Sequence, residues 1–352
     1  MGSRGDRLSG LLAERELDLA LVTNLVNVRY LTGFTGTNGA CICGPEARVF
    51  LTDFRYTERA AEEVDGWEVV TVRDDWLGGI AERLEGRTGF EDDHVAVRTL
   101  GRLEGKLAEG VELVAAGGMV EQLRRVKDPA ELEAMEAASA LADEAWLWTL
   151  DRGLGGRSER DVAAATEARI RELGGEPSFP AIVASGPNGA LPHAEPGERQ
   201  IEPGDLVVFD MGAKLDGYCS DGTRTLAVGE PDGAAREVYE LVLEAQAKAL
   251  DAVAVGIGGE ALDAVAREVI KAAGHGERFG HGLGHGVGLE VHEAPRVSPR
   301  SEDVLAAGEV VTIEPGVYVP GEVGVRIEDL VVVGEDRLRN LSSLPKELRA
   351  VD

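Results

Sequence analysis

The sequence predicts an α+β protein in two parts, a smaller α/β domain over residues 1–125 followed by an antiparallel α+β domain over residues 126–352. Three observations carry this expectation. Short apolar runs alternate with helical patterns in the first third of the chain; a sharp helix-start signal stands at Asp128; and beyond it long helical stretches are separated by strands joined through turn residues. With 352 residues, 43% of them hydrophobic, the chain can build one large core or two of ordinary size.

In the first domain a polar helix is expected over residues 5–16, then strands at DLALVT, ACICG and ARVFLT, and a helix at RYTERAAEEV. A strand at WEVVTV, a helix at WLGGIAERLEG and short strands at HVAV and VELVAA complete it. The second domain opens on DPAELEAMEAASALADEAWLWTL, where Asp128 is a good N-cap, Pro129 fits the first turn and Glu131 completes a capping box. Further helices are expected from Ser158 to Leu173, with Gly174 as the stop, from Gly233 to Val253 and from Gly259 to Ala273.

The formal net charge of −28 opposes binding to a phosphate backbone, so nucleic acid is not an expected partner. The N-terminus lacks the apolar core of a signal peptide and no run of 18 apolar residues occurs, so the expectation is a cytoplasmic protein without a membrane partner. Cys41, Cys43 and Cys219 read as buried residues rather than as a disulfide or thiolate metal site.

Two hairpins collect acids. In GDLVVFDMGAKLDGYCSDGTRTLAV, Asp216-Gly217 supplies the turn, and Asp210 and Asp221 are mirror positions about the midpoint of residues 215 and 216. In GEVVTIEPGVYVPGEVGVRIEDLVVV, Pro320-Gly321 is the turn, and Glu314 and Glu328 mirror each other about Gly321. The recurrence hints at two related halves. Any one of the 64 acidic residues reads most simply as a solvated strand end. Asp210 and Glu314, however, follow the apolar runs LVVF and VVTI, where an ionised carboxylate is costly unless paired or bound to metal. Four such acids and one imidazole form a natural ligand set for two divalent ions held about 3.5–4 Å apart. An oxygen-rich shell suits Mn²⁺ or Co²⁺, with Zn²⁺ and Fe²⁺ as alternatives.

The stretch FGHGLGHGVGLEVHEAP places three of the six histidines in a run too rich in glycine for a helix. His281 and His285 have the spacing of the zincin motif, but no glutamate lies between them.

Together FDMGAKLDGYCSDGTRT, GHGLGHGVGLEVHEAP, TIEPGVYVPG and VRIEDLVVV resemble, in order and spacing, the pita-bread metallopeptidases of the Xaa-Pro branch, prolidase and aminopeptidase P. LPHAEPGERQIEPGD fits the same pattern, and NVRYLTGFTGTNG and LTDFRYTERA look like the creatinase-type N-terminal domain of that branch, so the resemblance spans nearly the whole chain. It implies a pita-bread catalytic domain, hydrolysis of the Xaa-Pro bond in dipeptides or short peptides, a homodimer, and two divalent ions, Mn²⁺ before Co²⁺, Zn²⁺ or Fe²⁺. It implies metal ligation by Asp210, Asp221, His285, Glu314 and Glu328, with Asp221 and Glu328 bridging. It further implies a substrate pocket lined by His193, His281 and His292, with Arg326 beside the metals and Glu314 doubling as proton shuttle. The glycines would let backbone and substrate approach the ions. Arg296 could attract a substrate carboxylate, and His94 and His275 are read as structural. Dipeptidase action is favoured over aminopeptidase P, and a non-catalytic peptide-binding module would be expected to have lost ligands that are all present here.

Overall fold

A computed structural model describes residues 3–352, which divide into two compact units meeting between Arg124 and Arg125. In the first unit, α1 (Arg4–Glu14) is followed by β1 (Leu19–Val22), α2 (Leu25–Thr32), β2 (Ala40–Cys43) and β3 (Arg48–Asp53). Then come α3 (Thr57–Glu63), β4 (Glu68–Val72), α4 (Trp76–Ala81), β5 (Arg87–Phe90), α5 (Val97–Glu104), β6 (Glu112–Ala115) and α6 (Met119–Arg125). The strands form one mixed sheet in the order β4-β3-β2-β1-β5-β6. The expected α/β character is present. HVAV is not a strand: His94 ends an exposed turn and Val97 begins α5. The strand in its place is RTGF, β5, which lacks alternation because it is a central strand paired in parallel with both β1 and β6. Cys41 and Cys43 lie buried and free on β2, and Cys219 is likewise free and buried.

The second unit opens on α7 (Pro129–Leu150), whose start carries the Asp128–Glu131 capping box. There follow α8 (Glu159–Glu172), capped by Ser158, and the strands β7 (Glu176–Pro177) and β8 (Ile182–Ser185). The first acidic hairpin comprises β9 (Leu206–Asp210), β10 (Ala213–Leu215), β11 (Tyr218–Cys219) and β12 (Thr223–Val228). The order then repeats with α9 (Gly233–Ala252), α10 (Gly259–Ala272), β13 (Gly284–Gly286), β14 (Glu293–Val297) and the second hairpin. That hairpin comprises β15 (Val310–Ile313), β16 (Gly316–Val319), β17 (Val323–Arg326) and β18 (Asp329–Val332), and two short strands, β19 (Arg339–Asn340) and β20 (Ala350–Val351), close the chain.

Each half is thus a long helix, a 14-residue helix and an acid-bearing hairpin. Even the residue before the shorter helix repeats its role, since Ser158 bridges to Gln200 and Gly258 to Val304. The sheets are antiparallel apart from the β12–β20 pair, as expected of an α+β domain. One core packs Trp146, Val162 and Ile170 of α7 and α8 against Phe209 and Leu226; the other packs Val242, Leu262 and Ile270 of α9 and α10 against Ile313, Val325 and Ile327. No helix among the described residues is long and apolar enough to cross a membrane.

Candidate metal centre

Register decides where the acids fall. Leu215 pairs with Tyr218, and Asp216 and Gly217 both take positive φ, the two-residue turn that suits the strand twist. Carried up the hairpin, this register sets Asp210 opposite Thr223, so its midpoint lies one residue beyond that expected and Asp221 stands diagonally, two residues before Asp210's partner. A shift of two keeps the face, so the carboxylates still converge. The second hairpin follows the expected register throughout: Gly316 pairs with Arg326 and Ile313 with Asp329, which sets Glu314 and Glu328 opposite one another about Gly321.

Main-chain and hydroxyl bonds stitch the two hairpins together at that level. Glu328 N donates to Thr223 O at 3.0 Å, while Thr225 Oγ1 donates to Arg326 O at 2.9 Å and accepts from Arg326 N at 3.1 Å. Buried Arg224 reaches across to Asp329 at 2.8 Å and to the Glu328 carbonyl. On the other side α10 holds the histidine loop. Arg267 donates to the carbonyls of Phe279 and His281, each at 2.7 Å, and Asp263 accepts from Leu283 N at 2.9 Å.

Ligating atoms of Asp221, His285 and Glu328 lie within 4.8 Å of one another. His285 Nε2 is 3.7 Å from Asp221 Oδ2 and 3.4 Å from Glu314 Oε1. His285 Nδ1 faces the Gly286 carbonyl at 3.1 Å; a carbonyl can only accept, so Nδ1 carries the proton and Nε2 keeps its lone pair toward the acids. Thr223 Oγ1 donates to Glu328 at 2.7 Å and Thr312 Oγ1 to Glu314 at 3.2 Å, the outer bonds that orient metal-binding carboxylates. Asp210 forms an ion pair with Arg326 at 2.5 Å, yet its Oδ1 is buried without a hydrogen-bond partner in the protein.

The electrostatics fit a cation-binding site. Burial, with Glu328, Asp210 and Glu314 adding repulsion, holds Asp221 well above the usual carboxylate range; burial and Glu314 do the same to Glu328. Burial pushes Glu314 up to about 8, although Arg326 works against it. Burial also lowers His285 to about 4, so the imidazole is neutral and available as a ligand. One arginine cannot balance four carboxylates. Divalent cations would, and the orphaned oxygen of Asp210 is an acceptor already facing that need.

Beyond this set, the His292 ring packs on His285 with centroids 4.4 Å apart, and its side chain is exposed. His193 is exposed at the crest of a loop tied down where Arg326 Nη1 donates to Pro192 O at 3.1 Å. His281 has both ring nitrogens engaged, Nδ1 by the Gly282 carbonyl and Nε2 by Tyr318 Oη, each at 2.8 Å. Tyr318 in turn accepts from Arg326 at 3.0 Å. Sequence reasoning did not single out Tyr318, Thr223 or Thr312. Their signal was parity: Thr223 stands two residues from Asp221, and Thr312 and Tyr318 stand two and four from Glu314, while the Tyr318 ring lies over Gly316, the partner of Arg326, where a side chain would block it. The glycines beside His285 do let backbone come close, as expected. A Cβ at Gly284 would overlap the Thr312 carbonyl and one at Gly286 the Ala294 carbonyl, so both admit the neighbouring strands. Arg296 is exposed and lies across the β13–β14 ladder from His285. His94 is exposed and His275 half-buried.

A model described as metallopeptidase family M24 matches residues 133–335, and one described as creatinase/prolidase N-terminal domain matches residues 4–126. The chain belongs to metallopeptidase family M24. It is 38% identical to an Xaa-Pro dipeptidase of Pyrococcus furiosus, over 99% of this chain and 100% of that protein. Among solved M24-like structures it is similar to an Xaa-Pro dipeptidase from Bacillus anthracis, with a TM-score of 0.96, 38% identity and 99% of each chain covered. An X-Pro aminopeptidase from Thermotoga maritima gives a TM-score of 0.92 at 36% identity, covering 99% of this chain and 100% of that one. The pita-bread resemblance therefore holds at the level of family and fold.

The crowded acids make a pH prediction for the metal-free protein. A carboxyl whose folded pKa lies above its unfolded one binds more protons folded, so stability falls as pH rises through the interval between the two values. For Glu314 that interval runs from the ordinary glutamate value of 4.5 to about 8. His281 and His285, lowered to about 4, oppose it only below the ordinary histidine value of 6.5. Thermal melts of chelator-treated protein should therefore shift downward between pH 6.5 and 8, and saturating Mn²⁺ should flatten the slope. A metal-free melting temperature independent of pH over that interval would contradict the assignment.

Proposed function

We propose that this protein is an Xaa-Pro dipeptidase whose dinuclear centre is held by Asp210, Asp221, His285, Glu314 and Glu328. The observation carrying the reading is the convergence of Asp221, His285 and Glu328 in a buried, carboxylate-rich site. Its support is the end-to-end similarity to Xaa-Pro dipeptidases. Mn²⁺ is the proposed metal because four of the five ligands are hard oxygen donors. When bound, two divalent ions supply the Lewis acidity that makes water nucleophilic at neutral pH and polarises the scissile carbonyl.

The protein's residues do the rest. Glu314, through the oxygen that Thr312 does not engage, takes the proton of the attacking water and returns it to the departing proline nitrogen. His292 donates to the carbonyl oxygen as charge develops there. His193 binds the substrate from the opposite loop. His281, its ring nitrogens occupied, fixes Tyr318 and through it Arg326, which holds Asp210.

A dipeptide differs from a longer substrate in the carboxylate just beyond the scissile bond. Arg296, exposed and opposite His285, is the cation proposed to receive it, since a charge-assisted bond favours a carboxylate over a continuing amide. Xaa-Pro dipeptides should therefore show higher kcat/KM than matched tripeptides, and Arg296→Ala should narrow the difference. The similarity to an X-Pro aminopeptidase supports a second reading, aminopeptidase action. Equal or faster turnover of tripeptides by the unmodified protein would favour it.

A further inference from the structure

We propose that Glu159, outside the pocket at the first turn of α8, is a positioning residue that sets the loop carrying His193. The inference rests on the Xaa-Pro reading only for the substrate role of His193; the clamp itself is geometric. Glu159 is fully buried, where a carboxylate needs full hydrogen bonding. Its Oε1 accepts from Ser185 N and Ser185 Oγ, both at 2.7 Å, and from Asn188 Nδ2 at 3.0 Å. Its Oε2 accepts from Asn188 Nδ2 at 3.1 Å and from Gly197 N at 3.2 Å. One side chain thus holds both ends of the loop between residues 185 and 197. Leu191 and His193 project from its crest into solvent.

Arg199 Nη1 donates to Ser185 Oγ at 2.6 Å and Arg160 N to Gly197 O at 3.0 Å, and further restraints come from the strand beside the metal centre. Arg326 donates to Pro192 O, and Gly189 lies against Gly324, where a Cβ on Gly324 would overlap the Gly189 carbonyl. The loop is therefore fixed at its base by Glu159, the one side chain among the described residues that bonds both ends, with Arg199 and Arg160 each holding one end, and near its crest by the strand bearing Arg326. Loosening the base leaves every ligand in place but frees the crest to move. A displacement of about 1 Å at a substrate-contacting group is enough to cost about 10²-fold in rate.

Glu159→Gln tests this because it preserves size while replacing one acceptor oxygen with an amide donor. Whichever way the amide turns, its NH₂ meets donors: Ser185 and Asn188 on one side, Asn188 and Gly197 N–H on the other. The expected result is unchanged Mn²⁺ content, faster amide hydrogen exchange across residues 186–197, and a fall of about 10–10²-fold in kcat/KM for an Xaa-Pro dipeptide, mostly through KM. Combined with His193→Ala, Glu159→Gln should add no more than about two-fold to the loss caused by His193→Ala alone, as for residues acting through one group. Asn188→Ala, which removes only part of the clamp, should show the same pattern more weakly, and carries the test if Glu159→Gln fails to fold. Unchanged exchange in the loop, or losses that multiply fully in the double variant, would overturn the proposal. A wild-type protein inactive on every Xaa-Pro peptide would instead overturn the functional reading and the role given to His193, while hydrogen exchange would still report on the clamp.

Discussion

Glu328→Ala should bind far less divalent metal than the wild type and show no measurable Xaa-Pro hydrolysis, with its fold retained. The carboxylate is buried, lies within 4.8 Å of ligating atoms of Asp221 and His285, and is aimed by Thr223 Oγ1. The bond that joins the hairpins here uses Glu328 N and Thr223 O, which alanine preserves. Removing one of four mutually repelling acids also relieves the metal-free protein, in which burial and Glu314 already hold Glu328 toward its protonated form. The metal-free variant should therefore melt no lower than metal-free wild type, while the stabilisation conferred by Mn²⁺ is lost. Asp221→Ala should behave alike. Metal analysis, peptide hydrolysis and thermal melts on the purified variants check all three outcomes; full activity with unchanged metal content would refute the ligand assignment.

His292→Ala should separate a substrate-facing imidazole from a ligating one. The His292 side chain is exposed and stacks edge-on against His285 without sharing its carbonyl-anchored geometry. Its loss should leave metal content near wild type but lower kcat by about 10²–10³, the range for removal of one oxyanion donor. Partial desolvation and the neighbouring Arg296 lower the His292 pKa, which favours the neutral ring that donates through a single N–H. Metal lost from His292→Ala but retained in His285→Ala would show the two roles exchanged.

The site was legible in the sequence because hairpin register is set locally. Pro320-Gly321 fixed the second hairpin so firmly that Glu314 and Glu328 fall opposite each other as their spacing predicts. In the first hairpin the turn residues were read correctly, but the pairing centres between Asp216 and Gly217, so Asp221 is a diagonal neighbour of Asp210. Period-two alternation absorbed that error, since a shift of two residues does not change the face. What remained hidden depends on contacts between segments far apart. The central strand β5 carries Arg87 and Gly89 where a strand pattern wants β-branched residues, and it exists because β1 and β6 flank it. Likewise the glycines around His285 look permissive in sequence, yet the strands on either side occupy the space they leave. Tyr318, buried among apolar neighbours, reads as core until His281 and Arg326 meet at its hydroxyl.

The measurement closest to the central claim is a Mn²⁺ titration of chelator-depleted protein, followed by calorimetry and by hydrolysis of an Xaa-Pro dipeptide in the same samples. The proposed five-ligand set, four of its members carboxylates, predicts two Mn²⁺ bound per chain and activity rising from zero as they bind. Binding of a single ion, or full hydrolysis in the depleted protein, would contradict it.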